Sequence, residues 1–324
     1  MDVGKYYFEY LSDVFEEIYT LARAFESTQK DFPNIASDIG VSSFNGATKK
    51  TFNEILMGYS IDEIDQNNGE NVKRKDGSLR KKRRISVDNL HLVKTTITER
   101  FNCYYKEQLA ETILYKNESL EKIAQALEIN VDRDALEFIK SLVLSNENEI
   151  NLDSESILND YISSHIELPN KQKHLTIEYF QEVCIRVKKD MLRKLGNLAL
   201  SRNLLNSTKI HCELGNKKGS DLTILQEQVK AAGAALFVAV TGWRESEFGV
   251  PLNAIRVFRN EDAQDGHYNP LRFHVKWIVP KTNGKTELDR EIGLSAYLVA
   301  FKLHRWISTE GMPCLYKSSS VKAK

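Results

Sequence analysis

The sequence predicts a mainly α-helical chain with a small antiparallel β-sheet near its C-terminal end. Two patterns support this fold class. Long segments place apolar residues at three- and four-residue steps, the period of a helix with one buried face, and residues 272–280 alternate with the two-residue period of a strand. An Asn-Gly pair after that strand is a strong hairpin signal. The chain has 324 residues, enough for more than one domain, and we expect boundaries at 1–87, 88–214 and 215–324.

Composition narrows the classes of protein to consider. Basic and acidic residues balance at 45 each, so net charge favours no class of partner and only local clusters carry information. Four scattered cysteines without a C-x-x-C pair indicate a reduced, cytoplasmic protein without a zinc site. No apolar run approaches the ~18 residues of a membrane span. We therefore expect no membrane partner and no zinc site.

The N-terminal region combines a helix over residues 7–25 with a basic arm. Residues 71–84, "NVKRKDGSLRKKRR", contain eight basic residues and one acidic residue, and they predict an exposed loop or a hairpin around Asp76-Gly77. Three interpretations stay open: a solvated charge run, a nuclear-localisation signal, or an arm that contacts phosphates and releases condensed counterions. In the third, the contacting residues are Lys73, Arg74, Lys75, Arg80, Lys81, Lys82, Arg83 and Arg84.

Residues 88–210 are predicted to be mostly helical. The clearest helix runs from residue 177 to 198, and its outer face carries Lys188, Lys189 and Arg193, which suit either a DNA groove or a solvated surface. Residues 119–140 resemble the opening of a helix-turn-helix. The second helix of that unit carries acidic residues where a groove reader needs donors, so ordinary helix packing is favoured there.

A helix that is predicted to be buried ends near residue 241, and a charged residue, Arg244, follows it closely. The segment 222–240 becomes almost wholly apolar and then runs into "TGWRESEF" at 241–248, which places Arg244 beside acidic residues. A charge at the end of a buried helix needs partners. It is either an ion-paired packing residue or an anion-binding group. Three strands are predicted next, at 254–259, 272–280 and 287–294, with Lys281 and Lys285 flanking the turn at Asn283-Gly284, and an amphipathic helix follows them.

Together these segments resemble the tyrosine recombinases, or phage integrases. The first catalytic box of that family reads T-G-x-R-x-x-E followed by an apolar residue, and "TGWRESEF" matches it; the lysine-bearing hairpin and "REIGL" follow in the family's order. The resemblance covers about residues 220–308. It implies that residues 88–214 form a helical core-binding domain and that residues 215–324 form the N-terminal part of an α+β catalytic domain.

The resemblance also implies a chemistry and a partner. Family members break and rejoin double-stranded DNA through a phosphotyrosine intermediate, without a metal, and assemble on DNA. Arg244 matches the arginine that stabilises the transition state, and Lys281 matches the general acid, with Lys285 as the alternative. Thr241, Gly242 and Glu247 match supporting positions. The implied partners are duplex DNA and further copies of the chain, with no cofactor and no small-molecule substrate.

The sequence departs from the family downstream of Arg244. Neither an H-x-x-R box nor a tyrosine at the expected distance follows, because His304 and Arg305 are adjacent and Tyr316 comes too soon after them. We expect no strand cleavage by this chain alone, either because it is an N-terminal piece of a recombinase or because it descends from one. The alternative functions are a non-catalytic DNA-binding accessory or regulatory protein and, more weakly, a helical protein-interaction module.

Overall fold

A computed structural model describes the chain over residues 3–38, 72–73, 79–80, 87–147, 153–165, 175–195, 221–243, 250, 254–260, 270–278 and 286–307. The helices are α1 (Val3–Asp38), α2 (Val87–Thr112), α3 (Asn117–Ala126), α4 (Arg133–Asn146), α5 (Ser154–His165), α6 (Ile177–Lys194), α7 (Asp221–Thr241) and α8 (Leu294–Ile307), with a 3-10 turn at Ile113–Tyr115. The strands are β1 (Val72–Lys73), β2 (Leu79–Arg80), β3 (Ile255–Arg259), β4 (Leu271–Ile278) and β5 (Glu287–Ile292).

This architecture confirms the predicted fold class at the coarse level. The described residues are mostly helical, and β3, β4 and β5 form an antiparallel sheet in that order. No helix within the described ranges is long and apolar enough to cross a membrane. The cytoplasmic location and the three domain boundaries stay predictions.

Helix α1 is longer than its sequence pattern predicts. It extends to Asp38 rather than ending near residue 25. The added turns bury polar as well as apolar side chains, with Thr28 at 0% and Phe32 at 1% exposure. The Thr28 hydroxyl donates a hydrogen bond to the Ala24 carbonyl at 2.8 Å, so its burial leaves no donor unsatisfied. Buried polar residues such as Thr28 interrupt the apolar pattern, and for this reason the part of α1 after residue 25 was not predicted from the sequence.

The chain divides into two compact units. The first comprises Met1–Glu16, Ala110–Lys194 and Lys230–Lys324, and the second comprises Glu17–Leu109 and Leu195–Val229. In the second unit α1 and α2 run antiparallel: Arg23 of α1 donates to Gln108 at 3.4 Å, and Arg100 donates to Asp38 at 3.3 Å.

The helical part of the first unit is built on an antiparallel pair, α3 and α6. The Tyr179 hydroxyl, near the start of α6, donates to the Ala126 carbonyl at the end of α3 (3.2 Å). At the other end, Lys194 donates to Glu118 at 3.3 Å. Helices α4 and α5 meet through the parallel rings of Phe138 and Tyr161, whose centroids are 3.8 Å apart.

The sheet buries one face of its central strand. Along β4, Leu271, Phe273 and Val275 are at most 1% exposed, whereas the intervening side chains face outward. The Tyr297 ring of α8 stacks on Phe273 with centroids 4.7 Å apart. Burying a side chain of this size stabilises a fold by about 1.5–3 kcal/mol. The predicted two-residue alternation of this strand is confirmed.

A desolvated ion pair joins α8 to the first part of α1. The Lys302 side chain is 9% exposed and forms a salt bridge with both carboxylate oxygens of Glu16. Burial lowers the pKa of Lys140 on α4, and the nearby charge of Lys302 lowers that pKa further. Removing one partner of a buried pair typically costs about 3–5 kcal/mol, because the other charge stays buried and unpaired.

Helix α7 packs closely enough to exclude a side chain at Gly233. A Cβ atom added there would lie 2.7 Å from a methyl carbon of Leu303 and 2.8 Å from the Phe15 ring. Both neighbours are fully buried, at 1% and 0% exposure. A glycine inside a helix costs about 1 kcal/mol relative to alanine, so close packing is the reason for its presence here.

We predict that Gly233→Ala destabilises the protein although alanine favours helix. Overpacking costs about 1–3 kcal/mol, and because both neighbours are fully buried we expect this cost to exceed the gain in helix propensity of ~1 kcal/mol. The free energy of unfolding from urea titration measures the difference. Ala231→Gly, at an exposed position of the same helix, reports the propensity contribution alone. A Gly233→Ala variant that is more stable than the native protein by the full propensity gain contradicts the packing argument.

Candidate nucleic-acid interface

Helix α7 ends in a cap that its last residues build themselves. The amide of Gly242 donates to the Val238 carbonyl at 2.7 Å, and Gly242 has φ +66°. This left-handed conformation after the last helical residue is the common glycine termination of an α-helix. The Thr241 hydroxyl donates to the Phe237 carbonyl at 2.7 Å and accepts from the Trp243 amide at 3.3 Å. The Thr-Gly pair thus ends the helix at Thr241, shortly before Arg244.

Trp243 anchors the chain after this cap. It is 7% exposed, and its ring meets Phe237 edge-on with centroids 5.5 Å apart. The guanidinium carbon of Arg290, from β5, lies 3.7 Å from the centre of the Trp243 ring. The Nε and Nη2 atoms of Arg290 are shielded from solvent. A desolvated cation over a tryptophan ring stabilises by about 2 kcal/mol, so the residue before Arg244 is held from both sides.

The remaining residues of the predicted catalytic set lie outside the described residues. These are Arg244, Glu247, Lys281 and the alternative acid Lys285. Their flanking elements are described: α7 and Trp243 precede Arg244, and the segment with both lysines connects β4 to β5, where Ile278 pairs with Glu287. The predicted roles of these four residues stay predictions.

The outer face of the sheet carries a ladder of charge pairs between β4 and β5. Arg272 donates twice to Glu291, at 3.2 and 3.0 Å, and this hydrogen bonding holds the pKa of Glu291 below its usual value. His274 lies 3.1 Å from Asp289. Lys276 and Glu287 complete the series at 3.5 Å. The β5 acids therefore pair with the basic side chains of β4, and this face is not a strongly basic surface.

The basic residues of α6 fall into two groups that the sequence does not separate. Lys188 lies 3.6 Å from Glu147, and Arg193 lies 3.5 Å from Asp190. Arg186 and Lys189 are exposed, and neither forms an ion pair within the part of the chain that the structure describes. Ile185, the residue before Arg186, is 54% exposed. The residues that remain available to an external anion are thus Arg186 and Lys189.

Two short strands frame the basic arm. Val72 pairs with Arg80 and Lys73 pairs with Leu79 in an antiparallel ladder, which is the pairing that the predicted hairpin requires. The rest of the arm, Arg74, Lys75, Lys81, Lys82, Arg83 and Arg84, lies outside the described residues.

The helix-turn-helix resemblance has a packing explanation. The Asp132 carboxylate accepts from the Ala135 amide at 2.8 Å, so this acidic residue caps the N-terminus of α4. Most of α4 is buried, including Phe138 and Leu142 at 0% exposure. A helix packed over most of its circumference does not present a face to a groove.

His304 is held in the packing of α8. Burial lowers its pKa, and its Nε2 atom has no hydrogen-bond partner among the described residues. Both features favour the neutral imidazole.

Two arginines on the less exposed face of the sheet were not identified from the sequence. Arg290 lies on the same face of β5 as the buried Ile292, and Arg259 shares a face of β3 with Val257. Arg259 binds Ser156 and Asp160 of α5. The signal was present in the sequence, because a charged residue at an inward position of an alternating strand needs a partner.

No protein-family model, no curated protein and no solved structure matches this chain.

We predict that Gly242→Ala destabilises the fold through backbone strain alone. A Cβ atom at Gly242 would meet no atom within 4 Å, but a left-handed φ costs a residue other than glycine about 1–2 kcal/mol. Gly293→Ala is the matched control, since its Cβ would also meet nothing within 4 Å and its φ is not positive. Chemical denaturation of both variants measures the difference. Equal stabilities of the two variants would show that the cap does not depend on glycine.

Proposed function

We propose that this chain is a DNA-binding protein of the tyrosine-recombinase type, with Arg244 and Lys281 directed at a DNA phosphate. The observation that carries the proposal is the order of elements: an apolar helix closed by Thr241-Gly242, then Arg244, then a three-stranded antiparallel sheet and a further helix. This is the order of the first catalytic box and lysine hairpin of that family.

The cap of α7 supports a phosphate-directed Arg244. A guanidinium stabilises a developing phosphoryl charge best when its surroundings hold it in place before the reaction. Trp243, the residue before it, is buried between Phe237 and the Arg290 guanidinium. A preorganised donor of this kind contributes roughly 3–4 kcal/mol to transition-state stabilisation. The cap and the contacts of Trp243 therefore fix the chain up to the residue before Arg244.

The surface of α6 supports DNA binding through its backbone phosphates. Arg186 and Lys189 are one turn apart on an exposed face, and each can replace a condensed counterion on DNA. Lys188 and Arg193 are engaged with Glu147 and Asp190, and they have to exchange those partners before they can bind a phosphate.

A non-catalytic accessory or regulatory DNA-binding protein is the second candidate. It is favoured by the adjacency of His304 and Arg305, which are not spaced as in an H-x-x-R box, and by the burial that lowers the pKa of His304. Under this alternative the chain keeps the affinity for DNA and lacks strand cleavage.

We predict salt-dependent binding to duplex DNA that depends more on Lys189 than on Lys188. Each phosphate contact contributes about 0.9 to the slope of log K against log salt concentration. Fluorescence anisotropy with a labelled duplex should show a shallower slope for Arg186→Ala and Lys189→Ala. Lys188→Ala changes net charge equally and should retain most of the slope, because Lys188 is paired with Glu147. Absence of binding at low salt would overturn the proposal and favour a protein-interaction module.

Strand cleavage separates the two candidates. On a nicked duplex that traps phosphotyrosine intermediates, we expect no covalent protein–DNA adduct from this chain, since the sequence offers no tyrosine at the expected distance after an H-x-x-R box. Denaturing electrophoresis detects such an adduct. An adduct that disappears in Arg244→Ala would establish catalysis and remove the accessory alternative.

A further inference from the structure

Arg259 occupies a position on β3 where the alternation calls for an apolar residue. Ile255, Val257 and Arg259 share the less exposed face of this strand, and Arg259 pairs in register with Leu271, which is 0% exposed. A guanidinium at such a position has to be satisfied by another element.

Helix α5 supplies the partners. The Arg259 guanidinium donates to the hydroxyl and the carbonyl of Ser156 and forms a salt bridge with Asp160. The beginning of this helix is acidic, since Asp153 caps the Glu155 amide at 3.1 Å and Glu155 is exposed. Carboxylate and phosphate are the two anions that a guanidinium binds through charge-assisted hydrogen bonds, so a phosphate can replace the Asp160 carboxylate at Arg259.

The Arg259 contact is accessible to solvent, whereas the Lys302–Glu16 ion pair of the same unit is largely shielded from it. Arg259 and Asp160 are 37% and 49% exposed, compared with 9% and 23% for Lys302 and Glu16. Ion pairs that face water are weakened by salt and exchange partners readily, and desolvated pairs do not. An external anion can therefore compete for Arg259 without breaking the packing around Lys302.

We infer that Asp160 and Ser156 form a latch that holds Arg259 against α5 and releases it to the phosphates of a polyanion. Asp160 stands in for phosphate in the unbound protein and ties β3 to α5. When a polyanion binds, the guanidinium exchanges the carboxylate for a phosphate oxygen. The inference rests on the proposed function only for the identity of that polyanion, which is duplex DNA.

The chain offers a matched pair of variants to test the latch. Asp160→Asn removes the charge that faces Arg259 and keeps the shape of the side chain. Glu155→Gln removes one charge from the same helix at an exposed position. Binding to a labelled duplex should tighten more in Asp160→Asn than in Glu155→Gln, because no carboxylate then has to be displaced from Arg259. In Asp160→Asn/Arg259→Gln this gain should vanish, and the salt slope should become shallower by about 0.9, the contribution of the lost phosphate contact. Circular dichroism checks that each variant is folded.

A second measurement follows the Arg259 guanidinium by NMR in the absence of DNA. The Nε–H resonance of Arg259, assigned by its loss in Arg259→Lys, should shift when inorganic polyphosphate is added to the native chain, and sodium chloride at equal ionic strength should shift it less. If the chain binds DNA but Asp160→Asn and Glu155→Gln behave alike, the latch is wrong and the proposed function stands. If the chain does not bind DNA, the proposed function fails and the resonance decides: a polyphosphate-specific shift supports the latch, and an unchanged resonance overturns it.

Discussion

Burial of one face of β4 is the constraint on which the C-terminal half of the first unit depends. Leu271, Phe273 and Val275 lose their contact with water, and Tyr297 of α8 covers the middle of the strand. Because successive side chains of a strand point to opposite faces, this burial also fixes the outward direction of the β4 cations. The antiparallel register then brings the β5 acids within reach of those cations.

The same constraint turns two arginines inward, and each is satisfied in a different way. The Arg290 guanidinium packs on the face of the Trp243 ring. This contact is shielded from solvent and anchors Trp243, the residue before Arg244. Arg259 meets a hydroxyl and a carboxylate at the beginning of α5, a contact that stays open to solvent. The contact of Arg290 is expected to stay in place and the contact of Arg259 to be exchangeable. The reason is that electrostatic interactions strengthen as water is removed from around them.

The positions of the charged residues in this protein say more about its binding surfaces than their total number does. The balanced composition of 45 basic and 45 acidic residues conceals an α6 surface on which some cations are paired internally and others are not. Lys188 and Lys189 are neighbours of the same type, yet only Lys188 lies beside Glu147. Cations without internal partners are therefore a better indicator of a DNA-binding surface than the density of lysine and arginine.

Local patterns in the sequence were sufficient to predict the elements that repeat a short period. The long amphipathic helix α6, the alternation of β4 and the hairpin between β4 and β5 were all predictable, because side-chain period and turn chemistry act over a few residues. The sequence also offered the Thr-Gly-x-Arg segment, whose glycine adopts the left-handed conformation that ends α7. The tertiary structure alone decided which charges have partners: Lys194 and Glu118 are 76 residues apart, and Arg259 and Ser156 are 103 apart. It also decided that Thr28 is buried within a longer α1 and that Asp132 caps a packed helix. Such outcomes depend on neighbours brought together by folding, and no local period encodes them.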